Sequence, residues 1–318
     1  MMSGTWFVLI LLCLLMYVVL DGYDLGIGIA TLFERDAGHR LETIEYVARA
    51  WDGNETWLVL LGVSLWAGFP LAFGTVLPHA YLPLIVMLFS LIVRGVAVEM
   101  VSQAPPGTRW QRAFGLASLT AALAQGFTLG TLTDNDRVYA GTDFGWFSVL
   151  TALAVPCGYL ALGCAYTKWK ATGELRATAA RRGIAATSLA TVLGAASLVA
   201  VGGTAAPLNL HSPGRAIAFT GLLLFAAVGV ATALVTLRPA AESDVLPLAG
   251  IVTATVALGV AVVVARYPVI LPPALTVTGS VAPDNTMVFL AVGIGLNMPL
   301  ILFYNWFAHR AFGAGSKA

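Results

Sequence analysis

Long apolar runs separated by short polar segments extend over the whole chain. The runs are about 20 residues long, the length that an α-helix needs to cross a bilayer, and differ from the alternating ~10-residue strands of a membrane barrel. The sequence therefore predicts an all-α polytopic membrane protein with a single integral membrane domain over residues 1–318. Nine spans are predicted, at about 5–33, 56–75, 79–101, 112–133, 144–167, 183–204, 215–237, 246–266 and 286–309.

The first apolar run could be mistaken for a signal peptide. A signal peptide has a basic segment before its apolar run and a small-residue cleavage site after it. The first basic residue here is Arg35, which follows the run, and no such site is evident. We interpret the run as a retained first helix.

Composition agrees with this class of protein. Hydrophobic residues make up 58% of the chain and charged residues only 10%, whereas soluble domains carry about 25% charged residues. The formal net charge of +1 argues against a nucleic-acid partner. Membrane lipids are the expected surroundings.

The orientation follows from the distribution of basic residues, because cytoplasmic loops are enriched in Lys and Arg. Of the 17 basic residues, 13 fall in the loops after spans 1, 3, 5 and 7 and in the C-terminal tail, and three fall on the other side. The N-terminus is therefore predicted outside and the C-terminus in the cytoplasm.

The first span contains two acids in "YVVLDGYDLGIGI". Asp21 and Asp24 are three residues apart and share one helix face. An Asp at mid-membrane costs about 2.5–3.5 kcal/mol on translocon scales, so both must face protein or water. Tyr17 and Gly28 extend their face into a stripe.

Two glycines lie on an adjacent face of the same span. Gly22 and Gly26 form a small-xxx-small pair, which lets a second helix approach closely. We predict a packing role for both.

The second span begins with "WDGNETW". One interpretation is a capping box, with Asp52 at the N-cap and Glu55 reaching back to its amide. A helix cap does not need the two flanking tryptophans, Trp51 and Trp57. An acid that caps a helix can also carry protons. Asp52 is expected to be partly buried between them and to take protons from cytoplasmic water, with Glu55 and Asp24 as neighbouring relay groups.

Arg94 lies inside the third span, in "SLIVRGVAVEM". A guanidinium cannot remain unpaired in hydrocarbon, and Glu99 on the same helix has poor geometry for a pair. The expected partner is a carboxylate of another helix: Asp24, Asp52 or Glu55. The alternative is that the side chain snorkels to the membrane surface.

The histidines do not form a haem site in this sequence. His39, His79, His211 and His309 fall in loops or at span ends, and clustered metal ligands and phosphate-binding glycine loops are absent. We therefore expect the chain to bind no haem or metal and to perform no redox chemistry alone.

These motifs resemble subunit II of the cytochrome bd-type quinol oxidases, including the cyanide-insensitive branch. The resemblance covers both ends and the first three spans, in "LDGYDLGIGI", "WDGNETWLVLLGVSLWAGFP", "SLIVRGVAVEM" and "YPVILPPALTV…DNTMVFLAVGIGLNMPLILFYNWFAHRAFG". Residues from about 110 to 245 agree with the family only in hydropathy and helix count.

The resemblance implies two four-helix bundles plus one peripheral helix. It implies a partner, subunit I, that carries two haems b, one haem d and the quinol site. The complex would sit in the bacterial inner membrane and reduce oxygen to water, with protons drawn from the cytoplasm along a route that passes the acid matching Asp52. Some members hold a structural quinone or lipid in subunit II, and a small single-helix subunit is a further partner the family allows.

Two other hypotheses remain open from the residues alone. The first is a proton- or ion-coupled secondary transporter that uses Asp21, Asp24 and Arg94, because intramembrane charges also mark such sites. The second is a structural membrane scaffold in which the acids hold helices together.

Overall fold

A computed structural model of the chain describes residues 2–103, 105, 107–133, 145–201, 208–239, 241, 243–271 and 275–313. The helices among these residues are α1 (Met2–Leu32), α2 (Ala37–Glu45), α3 (Trp51–Gly68), α4 (Pro70–His79), α5 (Tyr81–Ser102), α6 (Arg109–Thr133), α7 (Trp146–Lys170), α8 (Gly173–Val201), α9 (Pro213–Thr236), α10 (Leu246–Arg266), α11 (Val277–Ser280) and α12 (Asp284–Gly313). A short antiparallel hairpin, β1 (Val269–Leu271) and β2 (Leu275–Thr276), precedes α11.

Eight of the described helices are long and apolar enough to cross a membrane: α1, α5 to α10 and α12. Helices α3 and α4 meet that test only together, and they bend by 120° at their junction. The predicted second span, 56–75, therefore falls on this bent pair and not on one continuous helix. The described residues are otherwise helical apart from the small hairpin and the connecting turns, in agreement with the predicted all-α class.

Proline explains the break between α3 and α4. Pro70 has no amide hydrogen, and its ring disfavours the helical conformation for the residue before it. Phe69 accordingly leaves the helix, with φ −135° and ψ 64°. The chain restarts at once because Pro is well suited to the first position of a helix.

Helix α8 begins ten residues before the predicted span at 183–204. Its first turns hold Ala and Arg, which are strong helix formers but lower the apolar score. Residues 144 and 202–204, at the ends of two predicted spans, lie outside the described residues, as does the side chain of His309.

Helix α1 lies at the centre of the packing, in contact with α3, α6 and α7. Close approach of α1 and α7 is possible because two glycines face each other. A Cβ on Gly26 would lie 1.7 Å from the Tyr159 carbonyl oxygen, and a Cβ on Gly163 would lie 2.3 Å from the Gly26 carbonyl carbon. The second half of the chain adds α8 against α7 and a tightly packed α9–α10 pair.

Polar contacts join several helices at the end of the bundle where α1 finishes, which we call the Glu34 end. Arg182 of α8 donates to Glu34 at 3.0 Å, and Gln111 of α6 donates to the Ala37 carbonyl oxygen. Burial tends to raise the pKa of Glu34, but the backbone amide of Asp36 and the Arg182 guanidinium outweigh it and lower that pKa.

The opposite end, which we call the Trp6 end, is closed by an apolar cluster. Trp6 of α1 packs with Phe69, Leu271 and Val277, which come from the α3–α4 junction, β1 and α11. The Ala282 amide donates to the Gly68 carbonyl oxygen and so caps the end of α3. The hairpin and α11 therefore hold the bent pair in place.

Candidate functional site: a buried charge cluster

The site is an ion-paired cluster where α1, α3 and α5 meet. Arg94 of α5 binds Asp21 of α1 at 2.5 Å and Glu55 of α3 at 2.8 Å. The side chains of Arg94 and Asp21 are 1% and 0% exposed, whereas that of Glu55 is 25% exposed. The cluster thus extends from Glu55, which is partly exposed, to Asp21, which is buried.

Arg94 does not snorkel to the membrane surface. Its guanidinium lies 5.9 Å from the centre of the Trp51 ring, a cation–π arrangement. The next residue, Gly95, makes room for that ring, because a Cβ there would lie 2.9 Å from a Trp51 ring atom. Of the three acids expected to pair with Arg94, Glu55 does so, whereas Asp24 and Asp52 do not. The second partner of Arg94 is Asp21.

Asp24 belongs to a second branch of the cluster. The Asn54 side-chain amide donates to Asp24 Oδ2 at 2.8 Å and to the Tyr23 hydroxyl at 2.7 Å. The Tyr23 ring in turn stacks on Tyr166 of α7, with 4.5 Å between centroids. No role was predicted for Asn54 from the sequence, although its place directly before Glu55 could have suggested one.

The charges of the cluster do not balance when every group is ionised. Asp21, Asp24 and Glu55 provide three carboxylates, and Arg94 provides one guanidinium. Two acceptor atoms, Asp21 Oδ2 and Asp24 Oδ1, are buried without a hydrogen-bond donor in the described structure. Because an uncompensated buried charge is costly, such a site is suited to bind and release protons.

Asp52 is not an N-cap, so the predicted capping box is wrong. Ala50 occupies the N-cap position of α3 without a side-chain cap, and Asp52 Oδ1 instead accepts from the Gly53 amide at 2.8 Å. The amides of Ala50 and Trp51 already bond to the Val47 carbonyl oxygen in the turns after α2. Fewer donors are therefore left for a cap to satisfy.

Asp52 is also more open than expected. Its side chain is exposed at the start of α3, whereas Trp57 is fully buried and Trp51 packs toward Arg94. The expected partial burial of Asp52 between the two tryptophans is wrong. Asp52 instead presents its carboxylate to solvent one helical turn before Glu55.

The glycines of α1 face α7. A Cβ on Gly26 would meet backbone atoms of Tyr159 and Gly163, whereas a Cβ on Gly22 would meet the Tyr159 ring at 2.8 Å. The sequence placed Gly28 in the acidic stripe. In the structure Gly28 instead approaches α6, where a Cβ on Gly28 would lie 2.1 Å from the Ser118 hydroxyl oxygen.

The histidines whose side chains the structure describes lie outside the eight helices of membrane-spanning length. His39 lies in α2 near the Glu34 end, the His79 ring bonds to the Thr75 carbonyl oxygen at 2.6 Å, and His211 is exposed before α9. No cluster of three His, Cys, Asp or Glu side chains with metal-binding geometry occurs among the described residues.

The fold and the cluster define a polytopic membrane protein with an ion-paired acid site inside its helix bundle. The sequence model of the cytochrome bd terminal oxidase subunit II family matches residues 2–312. The chain belongs to this family, which forms part of a bacterial inner membrane complex.

Relatives of known name agree with this family. Cytochrome bd ubiquinol oxidase subunit 2 of Bacillus subtilis is 31% identical over 131 residues, which cover 40% of this chain and 38% of the relative. Cytochrome bd-I ubiquinol oxidase subunit 2 of Escherichia coli K12 is 28% identical over 197 residues, which cover 55% and 51%. The chain thus matches about half or less of the length of these relatives.

The fold also matches a solved structure, the bd oxidase from Geobacillus thermodenitrificans. The TM-score is 0.74 at 15% sequence identity, and the match covers 98% of both chains. At that identity the comparison shows a shared fold.

Proposed function

We propose that this chain is subunit II of a cytochrome bd-type terminal oxidase, which couples quinol oxidation to the reduction of oxygen to water. Support comes from the family match over 2–312 and from relatives named ubiquinol oxidase subunits. In this proposal subunit I is the partner, carries two haems b and haem d, and oxidises the quinol. Subunit II binds no haem, supplies no catalytic residue and supports assembly.

The second part of the proposal is a proton uptake path through this chain. The observation that carries it is the buried Asp21–Arg94–Glu55 cluster, because the family's chemistry consumes protons and the cluster reaches from solvent into the bundle. Asp52 takes a proton from water at the start of α3. Glu55 lies three residues further on and therefore on the same helix face.

Each side chain of the cluster has a part in that path. Glu55 is partly exposed and pairs with Arg94 at 2.8 Å, so it can exchange protons with Asp52 and still belong to the cluster. The positive charge of Arg94 offsets part of the negative charge of the acids, which lowers the cost of burying several of them together. Asp21 is the next acceptor inward, and Asp24, held by Asn54, tunes the charge beside it.

The substitution Asp52→Asn tests the path. Asn keeps the size of the side chain and an oxygen that can accept from the Gly53 amide, but it cannot carry a proton. We expect normal haem content and assembly of the complex, with quinol oxidase turnover lowered about 100-fold, the lower end of what a positioned proton-transfer group contributes.

The matched control is Glu174→Gln, which removes an exposed acid at the start of α8. It should leave turnover at the parental level. If Asp52→Asn assembles and turns over like the parent across about pH 6 to 8, Asp52 carries no protons and the path through this chain is refuted.

The proposal includes the topology implied by the resemblance. Nine crossings form two four-helix bundles and one peripheral helix, with the N-terminus outside and the C-terminus in the cytoplasm. The basic residues favour this orientation, and counting the bent α3–α4 pair as one span gives nine. A structural quinone or lipid and a small single-helix subunit complete the proposed complex. Family membership does not favour the transporter hypothesis.

A further inference from the structure

The α9–α10 pair carries two arginines at the Trp6 end, outside the charge cluster. Arg266 is the last residue of α10, and the next residue, Tyr267, packs against Phe7 of α1 with 6.0 Å between ring centroids. Arg215 lies in the first turn of α9. The proton uptake path uses neither arginine.

The segment before α9 joins the two helix ends. The Asn209 amide donates to the Ala265 carbonyl oxygen at 2.8 Å, and Arg215 Nη1 donates to the Asn209 carbonyl oxygen at 3.2 Å. Asn209 therefore ties the start of α9 to the end of α10. Arg215 and Arg266 are thus held at the same end of the pair.

The Arg266 guanidinium has donors that the protein does not satisfy. Its Nε and Nη2 atoms are buried, and neither has a hydrogen-bond acceptor in the described part of the chain. A charged donor group left buried without an acceptor is destabilising, above all at membrane depth. Arg94, by contrast, is paired with two carboxylates.

The sequence supplies no acid near this end of the pair. Residues 175–241, which include α9 and nearly all of α8, contain no Asp or Glu, and neither do residues 245–283, which include α10, the hairpin and α11. The charges of Arg215 and Arg266 are therefore not balanced by an acid of the segments that carry them. An anion from outside the chain fits these donors.

The length of α10 indicates where that anion comes from. The helix has 21 residues, which makes it about 31 Å long and close to the thickness of the hydrocarbon core. Arg266 at its end therefore lies at the level of the lipid headgroups. Partly buried leucines, among them Leu198 of α8 and Leu222 of α9, pack in an apolar cluster with Ala265, and such a surface is suited to contact acyl chains.

We propose that Arg266 and Arg215 bind the phosphate group of a membrane lipid in the leaflet at the Trp6 end. Nε and Nη2 form one edge of the planar Arg266 guanidinium, and their two N–H groups match two oxygens of one phosphate. Arg215 adds a second positive charge beside it. The site does not depend on the proton uptake path, and only its assignment to the outer leaflet rests on the topology proposed above.

Native mass spectrometry of the purified, delipidated complex tests the site with three probes. Phosphatidylglycerol carries both a phosphate and acyl chains, diacylglycerol carries the same chains without a phosphate, and inorganic phosphate carries no chain. We expect Arg266→Gln to weaken the binding of one phosphatidylglycerol by about tenfold or more, the order expected for losing hydrogen bonds to a charged group. Diacylglycerol should bind the parent and this variant equally, and excess inorganic phosphate should not displace the lipid.

Further variants separate charge from geometry. Arg266→Lys keeps the charge but loses the fork of two donors, so its affinity for phosphatidylglycerol should be intermediate. Arg215→Gln should weaken binding less than Arg266→Gln, because it leaves that fork in place. The matched control is Arg238→Gln, which removes an exposed arginine just beyond the opposite end of α9 and should bind the lipid like the parent.

Equal affinity of the parent and Arg266→Gln for phosphatidylglycerol overturns the proposal. Diacylglycerol that binds the parent as tightly as phosphatidylglycerol, or displacement of the lipid by inorganic phosphate, overturns the assignment to a lipid phosphate, because acyl chains alone or a free anion alone would then suffice. If Arg266→Gln does not assemble, Arg266→Lys takes its place, and parental affinity in that variant overturns the role of the fork.

Discussion

At the scale of single residues, Asn54 joins two parts of the cluster that would otherwise be separate. Its side-chain amide donates both to Asp24 and to Tyr23, so one group from α3 fixes two groups of α1. An amide is suited to this position because it donates two hydrogen bonds without adding another charge to three acids and one guanidinium.

We predict that Asn54→Leu destabilises the complex. Leu has a similar volume but no donor, so Asp24 Oδ2 loses its partner in a buried site. Leaving a buried polar group unsatisfied costs about 1–3 kcal/mol, and thermal inactivation of the purified complex should occur at a lower temperature. The same change at Asn297, whose exposed side chain donates to the Gly293 carbonyl oxygen of its own helix, is the control. Equal inactivation temperatures for the two variants would contradict the role of Asn54.

At the scale of elements, hydropathy was enough to predict the helices of membrane-spanning length, but it predicted neither their ends nor the short helices α2 and α11. The predicted span at 246–266 coincides with α10, because Pro247 and Arg266 mark its ends in the sequence. Helix α8 starts ten residues before the predicted span because its first turns contain Arg, which favours a helix but lowers the mean hydropathy. The 120° bend at Phe69 could not be predicted as a bend, since Pro70 alone is also compatible with a kinked continuous span.

For the charge cluster, the sequence likewise predicted which residues matter but not how they pair. The cost of charge in a membrane singled out Asp21, Asp24 and Arg94, and all three are buried in one cluster. The pairing was not predictable, because it depends on the rotation of α1, α3 and α5 about their axes. The predicted Asp52 cap is wrong for a local reason: the amides of Ala50 and Trp51 already bond to the Val47 carbonyl oxygen in the turns after α2.

The contact between α1 and α7 leads to a prediction about glycine. Gly26→Ala places a methyl group 1.7 Å from a backbone oxygen, and backbone cannot move aside as a flexible side chain can. Gly22→Ala meets side-chain atoms of Tyr159 and Leu162, whereas Gly158→Ala, on α7 itself, meets nothing within 4 Å. Overpacking costs about 1–3 kcal/mol and sometimes more. The yield and thermal stability of the complex should therefore fall most for Gly26, less for Gly22 and not at all for Gly158. Any other order would argue against close helix approach as the reason for these glycines.

At the scale of the whole molecule, the bent α3–α4 pair decides how many times the chain crosses the membrane. Helix α1 finishes at the Glu34 end, and the bond from Gln111 to the Ala37 carbonyl oxygen places the start of α6 at that same end. Helix α5 runs directly into α6, so α5 also finishes there. Since α5 is long and apolar enough to span a membrane, we predict that it begins at the Trp6 end and that the α3–α4 pair carries the chain across.

Cysteine labelling from either side of the membrane tests that crossing. Three variants each carry one added cysteine in place of an exposed residue: Glu45 before α3, Tyr81 after α4 and Ser102 at the end of α5. Cys157, the one native cysteine that is not fully buried, is first changed to alanine, and that background without an added cysteine is the control. With a membrane-impermeant thiol reagent, we expect Glu45→Cys and Ser102→Cys to react only from the cytoplasmic side and Tyr81→Cys only from outside. If Tyr81→Cys instead reacts from the same side as Glu45→Cys, α3 and α4 form a re-entrant loop. The chain would then cross eight times, its termini would lie on one side, and the proposed topology would be wrong.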